Sequence, residues 1–144
     1  PVPSGKRAEW RLRPDAHAVA DVRKQITAWL AGHGLSADDV GLVATELLAN
    51  AVQAARSSVM LDARVRGRWV SLEVSDDGHG AVLPDAGYAV ATAEDEQGRG
   101  LFLVHALATG IEVRTTTRGT TIRCVVEAEE IAATPLPLPS QRIT

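Results

Sequence analysis

The chain has 144 residues, a formal net charge of -3 and a sequence pI of about 5.8. This length fits one domain with a proper hydrophobic core. The acidic balance and the scattered arginines argue against a nucleic-acid-binding surface, which would need a clustered basic face. A single cysteine, Cys124, excludes a disulfide framework. No apolar run approaches the length needed to cross a bilayer, so we expect a cytoplasmic protein without a membrane role.

The predicted elements begin after residues 1–8, which show no periodicity and are expected to form a flexible lead-in. Alternating residues around Trp10 predict a short strand that ends at Pro14. Asp15 fits the N-cap of a first helix, whose apolar residues recur at helical spacing until Gly32.

A second amphipathic helix carries two polar residues beside its apolar face. Ser36 and Asp39 resemble a capping box at its start. Glu46 and Asn50 are four residues apart, so their side chains lie on one helical face. A carboxylate beside a carboxamide oxygen suits Mg²⁺, which prefers oxygen ligands. Taken alone, the pair is better explained as a solvated glutamate beside an asparagine that caps or bends the helix.

Strands and one further helix follow. Two alternating segments on either side of Gly67 predict an antiparallel hairpin. Residues 81–97 show no period, and such a segment in a small domain is typically functional or mobile. A short helix is predicted from Leu101 to Gly110, before a strand and then an interior strand over residues 121–127.

This order of elements predicts a two-layer α/β sandwich. About five strands would form a mixed, mostly antiparallel sheet that three helices cover on one face. We place the domain at residues 9–130. The proline-rich residues 131–144 are expected to form a disordered tail.

Two further polar motifs follow the Glu46 and Asn50 pair along the chain. In Asp76-x-Gly78-x-Gly80, a carboxylate at a strand end can accept a hydrogen bond from the amine of a base, and glycines allow close backbone approach. Gly98-Arg99-Gly100 precedes a helix, where free N–H groups and the helix dipole attract anions. Each motif is weak alone, but their order together indicates a nucleotide-binding site.

These motifs resemble those of the GHKL (Bergerat-fold) ATP-binding superfamily over roughly residues 9–128. Glu46–Asn50 is similar to its N box, and Ser75–Gly80 to its first glycine box. Gly98–Leu101 is similar to its second glycine box, and residues 81–97 resemble its ATP lid. By its small size, short lid and lack of a phosphoacceptor helix hairpin, the chain most resembles the bacterial anti-sigma-factor serine kinases of actinobacterial type.

The resemblance implies ATP and Mg²⁺ as cofactors and a role for each matching residue. Asn50 would be the magnesium ligand, and Glu46 the general base or water-positioning acid. Asp76 would bind the adenine amino group. The other positions implied to contact ATP are Gly78, Gly80, Gly98, Arg99, Gly100, Leu101 and Thr121.

The resemblance further implies a homodimer that phosphorylates a serine of an anti-anti-sigma (STAS-type) partner, sequesters a sigma factor, or does both. A second hypothesis is a nucleotide-gated binding module without appreciable phosphorylation. Gln53 and Ala54 favour it, because they stand where relatives often carry a basic residue or histidine. A third hypothesis is the ATP-binding catalytic fragment of a sensor histidine kinase.

Overall fold

The computed structural model describes residue 3, residues 5–78 and residues 96–131, with side chains in the last range described from residue 101 onward. The predictions for Gly80, for most of the 81–97 segment and for all but the first residue of the 131–144 tail therefore lie outside the described residues. The division into lead-in, domain and tail stays a prediction.

Five strands and three helices make up the described part of the chain. The strands are β1 (Arg7–Leu12), β2 (Val59–Arg66), β3 (Trp69–Asp76), β4 (Ala108–Thr116) and β5 (Gly119–Glu127). The helices are α1 (Ala16–Gly32), α2 (Asp38–Ala54) and α3 (Glu96–Leu107). The strands form one sheet in the order β1-β2-β3-β5-β4, and every described strand pair is antiparallel. The predicted two-layer α/β sandwich is confirmed.

The helices lie side by side on one face of the sheet. Helix α1 contacts β1, helix α3 contacts β4, and α2 contacts β2, β3 and β5 between them. Beneath α2, alternate residues of the central strands are fully buried, including Leu61, Leu72 and Cys124. Burial raises the pKa of the Cys124 thiol to about 12, so this cysteine is an inert core residue.

The opposite face of the sheet carries polar and charged residues. Arg7 pairs with Asp62 at 2.7 Å, and Arg123 pairs with Glu73 at 3.1 Å. Exposed ion pairs of this kind add little to stability. The sheet is therefore held by its single apolar face. Among the described helices, none has the length and apolarity needed to cross a lipid bilayer.

Helix α1 is tied to both the first strand and the segment before it. Asp15 caps α1 as predicted, because its carboxylate accepts a hydrogen bond from the His17 backbone N–H at 2.8 Å. The indole N–H of buried Trp29 donates to the Gly5 carbonyl at 2.7 Å. Trp10 packs edge-on against the Trp29 ring with centroids 5.9 Å apart. These contacts fix α1 over β1.

The start of α2 differs from the prediction. The helix begins at Asp38 with Ala37 as N-cap, and the Ser36 hydroxyl accepts a hydrogen bond from the Asp38 backbone N–H at 3.1 Å. The predicted capping box is wrong, because Ser36 precedes the N-cap and bonds to Asp38 rather than to Asp39. Long-range pairing explains the difference, because the Ser36 N–H donates to the Glu129 carbonyl at 2.8 Å. The end of the described chain thus holds Ser36 outside the helix and fixes where α2 starts.

The third helix begins and ends earlier than its sequence indicated. It starts at Glu96, inside the predicted irregular segment, and stops at Leu107 rather than at Gly110. Residues after Leu107 belong to β4, where Ala108 already pairs with Val126 of β5. Gly110 lies at an irregularity of that strand, with a φ of 61°. Cross-strand pairing therefore overrides the helical pattern.

The buried face of β3 predicts a large difference between two neighbouring substitutions. Leu72→Ala removes a side chain that is 0% exposed beneath α2 and should lower the free energy of unfolding by about 2–5 kcal/mol. Ser71→Ala, on the polar face of the same strand, should change it by less than about 0.5 kcal/mol. Chemical denaturation monitored by circular dichroism measures both, and equal losses would contradict the one-sided core.

Candidate functional site

The C-terminal ends of α2 and β3 meet at one corner of the domain. A Cβ built on Gly78 would lie 1.7 Å from the carbonyl oxygen of Ala54, the last residue of α2. Only glycine permits this approach of one backbone to the other. Asn50 lies one turn before Ala54, about 6 Å along the helix axis. Asp76 is two residues before Gly78, so Asn50 and Asp76 belong to the same corner.

Glu46 and Asn50 lie on the flank of α2 that faces α3. The opposite flank faces α1, because a Cβ on Gly41 would be 3.6 Å from the Arg23 guanidinium. Asn50 follows Gly41 by nine residues, which is about 2.5 turns, so it points away from α1. Both Glu46 and Asn50 are half-buried. Glu46 and Asn50 therefore lie at the edge of the buried face of α2, as their spacing predicted.

Asp76 is a half-buried carboxylate at the end of β3. Its Oδ1 accepts a hydrogen bond from the Gly78 N–H at 2.9 Å. Burial nevertheless raises its pKa above the ordinary value, because desolvation outweighs the stabilisation of the charge by the backbone N–H groups of Gly78 and Thr120. Asp76 is thus a partly dehydrated acceptor placed where an amine N–H could reach it.

The neighbouring carboxylate, Asp77, has a different environment. Its Oδ1 accepts hydrogen bonds from the backbone N–H groups of Arg56 at 2.8 Å and Ser57 at 3.0 Å, and from Ser58 at 3.3 Å. Its Oδ2 accepts from the Ser57 hydroxyl. These bonds, the Ser57 hydroxyl foremost, hold the pKa of Asp77 far below its ordinary value. Asp77 therefore joins the end of β3 to the loop after α2.

Thr121 does not share the face of the sheet that carries Asp76. Its hydroxyl lies 3.0 Å from that of Ser75, its partner on β3, on the face without helices. The residue opposite Asp76 is Thr120, which is 4% exposed. Register partners point to the same face. The structure thus puts Thr120, rather than the predicted Thr121, on the face of the sheet that carries Asp76. The strand alternation counted back from buried Ile122 would have identified it.

Gly119, just before this threonine, is a second point of close backbone contact. Its φ of 142° disfavours any other residue, and a Cβ there would lie 1.8 Å from the Asp76 carbonyl oxygen. Asp76 is therefore enclosed by backbone from β5 on one side and from the 76–78 turn on the other.

The second glycine motif lies inside α3 rather than ahead of it. Because the helix starts at Glu96, Gly98 lies in its first turn, where N–H groups have no helical acceptor, whereas Arg99 and Gly100 lie beyond that turn. Helix α3 packs against α2 on the flank that carries Glu46 and Asn50. Leu101 is buried, so any part it takes in binding would be through its backbone. The side chains of residues 98–100 lie outside the description.

Comparisons with known proteins identify the family of this chain. The model of the histidine kinase-like ATPase domain family matches residues 12–126, and the chain belongs to this family. A search of curated proteins finds no match. Among solved structures, the chain is similar to the histidine kinase domain of the Erythrobacter litoralis EL346 blue-light activated histidine kinase. That likeness has 20% identity and a TM-score of 0.46, and covers 78% of this chain and 60% of the other.

The residues at the corner fit the nucleotide that an ATPase domain of this family binds. Asp76 offers a dehydrated acceptor for an amine, and the adjacent backbone contacts leave the turn without side-chain bulk at Gly78. The carboxamide of Asn50 and the carboxylate of Glu46 are oxygen donors of the kind that Mg²⁺ takes. In residues 5–78 and 101–131, no cluster of three or more His, Cys, Asp or Glu residues could hold a metal by itself. A magnesium ion here would therefore depend on phosphate oxygens as well.

The two adjacent aspartates should respond oppositely to neutralisation. Asp76→Asn should raise stability at pH 7, because a carboxyl with a raised pKa opposes folding once it ionises. Asp77→Asn should lower stability at pH 7, because a carboxylate with a lowered pKa stabilises the fold above the ordinary value of 3.8. In the wild type, the contribution of Asp77 to the free energy of unfolding is lost as the pH falls below 3.8. The Asp77→Asn variant should not show this pH-dependent decrease in stability.

Urea denaturation of both variants between pH 3 and pH 7 measures these differences. Changes of the same sign at pH 7 would contradict the assignment of opposite environments to the two carboxyl groups.

The backbone contact at Gly78 predicts a severe effect for one added methyl group. Gly78→Ala should lower the melting temperature strongly, because the methyl group would overlap the Ala54 carbonyl. Gly41→Ala is the matched control, since its methyl would meet only the flexible Arg23 side chain at ordinary distance. In a helix, that change should stabilise by about 0.5–1 kcal/mol. Thermal unfolding of both proteins checks the contrast, and a mild effect of Gly78→Ala would argue against the close approach.

Proposed function

We propose that the protein is an ATP-binding regulator of the anti-sigma-factor serine kinase type. In this role it transfers the γ-phosphate of ATP to a serine of an anti-anti-sigma (STAS-type) partner, sequesters a sigma factor, or does both, as a homodimer. The observation that carries the proposal is the junction of α2 and β3. It brings Asn50 and Asp76 to one corner in a chain of the histidine kinase-like ATPase family.

The proposed roles follow from the position of each group. Asp76 would accept a hydrogen bond from the adenine amino group. Asn50 would hold Mg²⁺ through its carboxamide oxygen, and the ion would neutralise phosphate charge. The N–H groups at the start of α3 would receive the phosphates. Glu46, one turn from Asn50, would accept the proton of the serine hydroxyl as its oxygen attacks the γ-phosphorus and ADP leaves.

A second candidate is the ATP-binding part of a sensor histidine kinase, since the family model that matches the chain is described as histidine kinase-like. The two candidates differ in the acceptor of the phosphoryl group. Serine phosphate is stable in acid, whereas histidine phosphate is not.

The deciding experiment incubates the full chain with Mg²⁺, ATP labelled in the γ-phosphate and a STAS-type domain, with the serine-to-alanine variant of that domain as control. Acid-stable label on the domain, absent from the control, would support serine kinase activity. Acid-labile label would support the histidine kinase candidate. Nucleotide binding without transfer would leave a binding module, and no nucleotide binding would refute all three.

Glu46→Gln should separate chemistry from binding. Without a proton acceptor, transfer should fall by about 100-fold or more. Affinity for Mg-ADP, measured by calorimetric titration, should stay within about threefold, because Gln keeps the size of the side chain. The control is Glu73→Gln, which removes a carboxylate paired with Arg123 on the polar face. Equal losses of binding and transfer in Glu46→Gln would contradict its assignment as the base.

A further inference from the structure

The nucleotide site proposed above draws its groups from two separate elements. Asn50 lies on a helix, and Asp76 lies at the end of a strand. A ligand that contacts both groups binds tightly only if their spacing is set in advance. The spacing therefore depends on what joins α2 to β3 at this corner.

The joint is made by three consecutive residues of β3 and the turn after it. The Asp76 carboxylate accepts a hydrogen bond from the Gly78 N–H, and the backbone of Gly78 lies close to the Ala54 carbonyl. Between them, Asp77 collects three backbone N–H groups and one hydroxyl from residues 56–58. The contact at Gly78 limits how closely the two elements approach. A steric contact cannot keep them from separating, whereas hydrogen bonds to a carboxylate can.

We propose that Asp77 is a positioning residue of the nucleotide site, which couples the magnesium end on α2 to the purine end on β3. The proposal rests on the proposed function, since it concerns the same site. Asp77 itself contacts residues 56–58, so its effect on a bound nucleotide passes through the placement of Asn50 relative to Asp76.

The proposal separates Asp77 from a residue that only stabilises the fold. If the carboxylate couples the two ends of the site, its loss should weaken the gain in ADP affinity that Mg²⁺ provides. Binding of ADP without the metal, which does not need Asn50, should change less. A general loss of stability would not alter the ratio of the two affinities, provided the protein stays folded.

The test measures ADP binding to the full chain by calorimetric titration, once with MgCl₂ and once with a chelator, at a temperature at which circular dichroism shows every variant folded. In Asp77→Ala, the Mg²⁺-dependent gain in affinity should fall by about tenfold, within the range usual for coupled sites. Asp77→Asn should keep the gain within about threefold, because its amide oxygen still accepts the backbone N–H groups and its amide N–H can donate to Ser57.

Asp15→Ala is the matched control. It removes a carboxylate that likewise accepts a backbone N–H, at 2.8 Å, but caps α1 on the far side of α2. This variant should lose stability and keep the wild-type gain. An unchanged gain in Asp77→Ala, or an equal fall in Asp15→Ala, would overturn the positioning role while the proposed function stands. A wild-type chain that binds no ADP would refute the proposed function and, with it, this inference.

Discussion

The contact between the backbone of Gly78 and the carbonyl of Ala54 is the constraint on which the candidate site depends. It is made by two main chains, so no side-chain rotamer can lengthen or shorten it. Asn50 and Asp76 each lie within one helical turn or two residues of this contact, on elements with their own hydrogen-bond ladders. The contact therefore limits how closely α2 and β3 approach, and the regular backbone on each side of it holds each functional group more accurately than a loop does.

Two neighbouring carboxylates at this corner have opposite electrostatic environments. Asp76 is shielded from water with few donors, and its pKa rises because the charged form is desolvated. Asp77 collects donors from the loop after α2, and its pKa falls because those donors stabilise the charge. The desolvated charge of Asp76 thus destabilises the fold, a cost that a hydrogen-bond donor on a ligand could offset. The charge of Asp77 stabilises the corner. Such a division is common where stability and binding compete for adjacent positions.

Helix α2 is held at both of its ends by distant parts of the chain. Residues 129–131 pair with the loop before it, and Asp77, after the end of β3, accepts hydrogen bonds from the loop after it. Between these points the helix packs its apolar face on the centre of the sheet. Its flank toward α3 is then free to carry Glu46 and Asn50 without disturbing the core. This arrangement explains how a helix whose apolar face is buried can carry polar groups at the edge of that face.

Residue patterns determined much of this architecture. Period-two alternation in β2 and β3 and the apolar stripe of α2 depend on local geometry alone, so the strands, the hairpin and the helix faces were predictable. The same spacing placed Glu46 and Asn50 on one flank, and the motif at Asp76 on a strand end. Local patterns failed to predict the ends of helices where residues pair with distant parts of the chain. Ser36 lies outside α2 because it pairs with Glu129, and Ala108 belongs to β4 because it pairs with Val126.

The tertiary structure alone decided how the site is assembled. The sequence predicted that Gly78 allows the backbone to approach a nucleotide. The fold shows that glycine at this position also allows the backbone to approach the end of α2. The sequence indicated Thr121, but register with β3 puts Thr120 on the face of Asp76. Nothing local distinguished Asp77 as a link to residues 56–58. Each of these facts depends on which backbone lies opposite which, and that is a property of long-range packing rather than of any short stretch of residues.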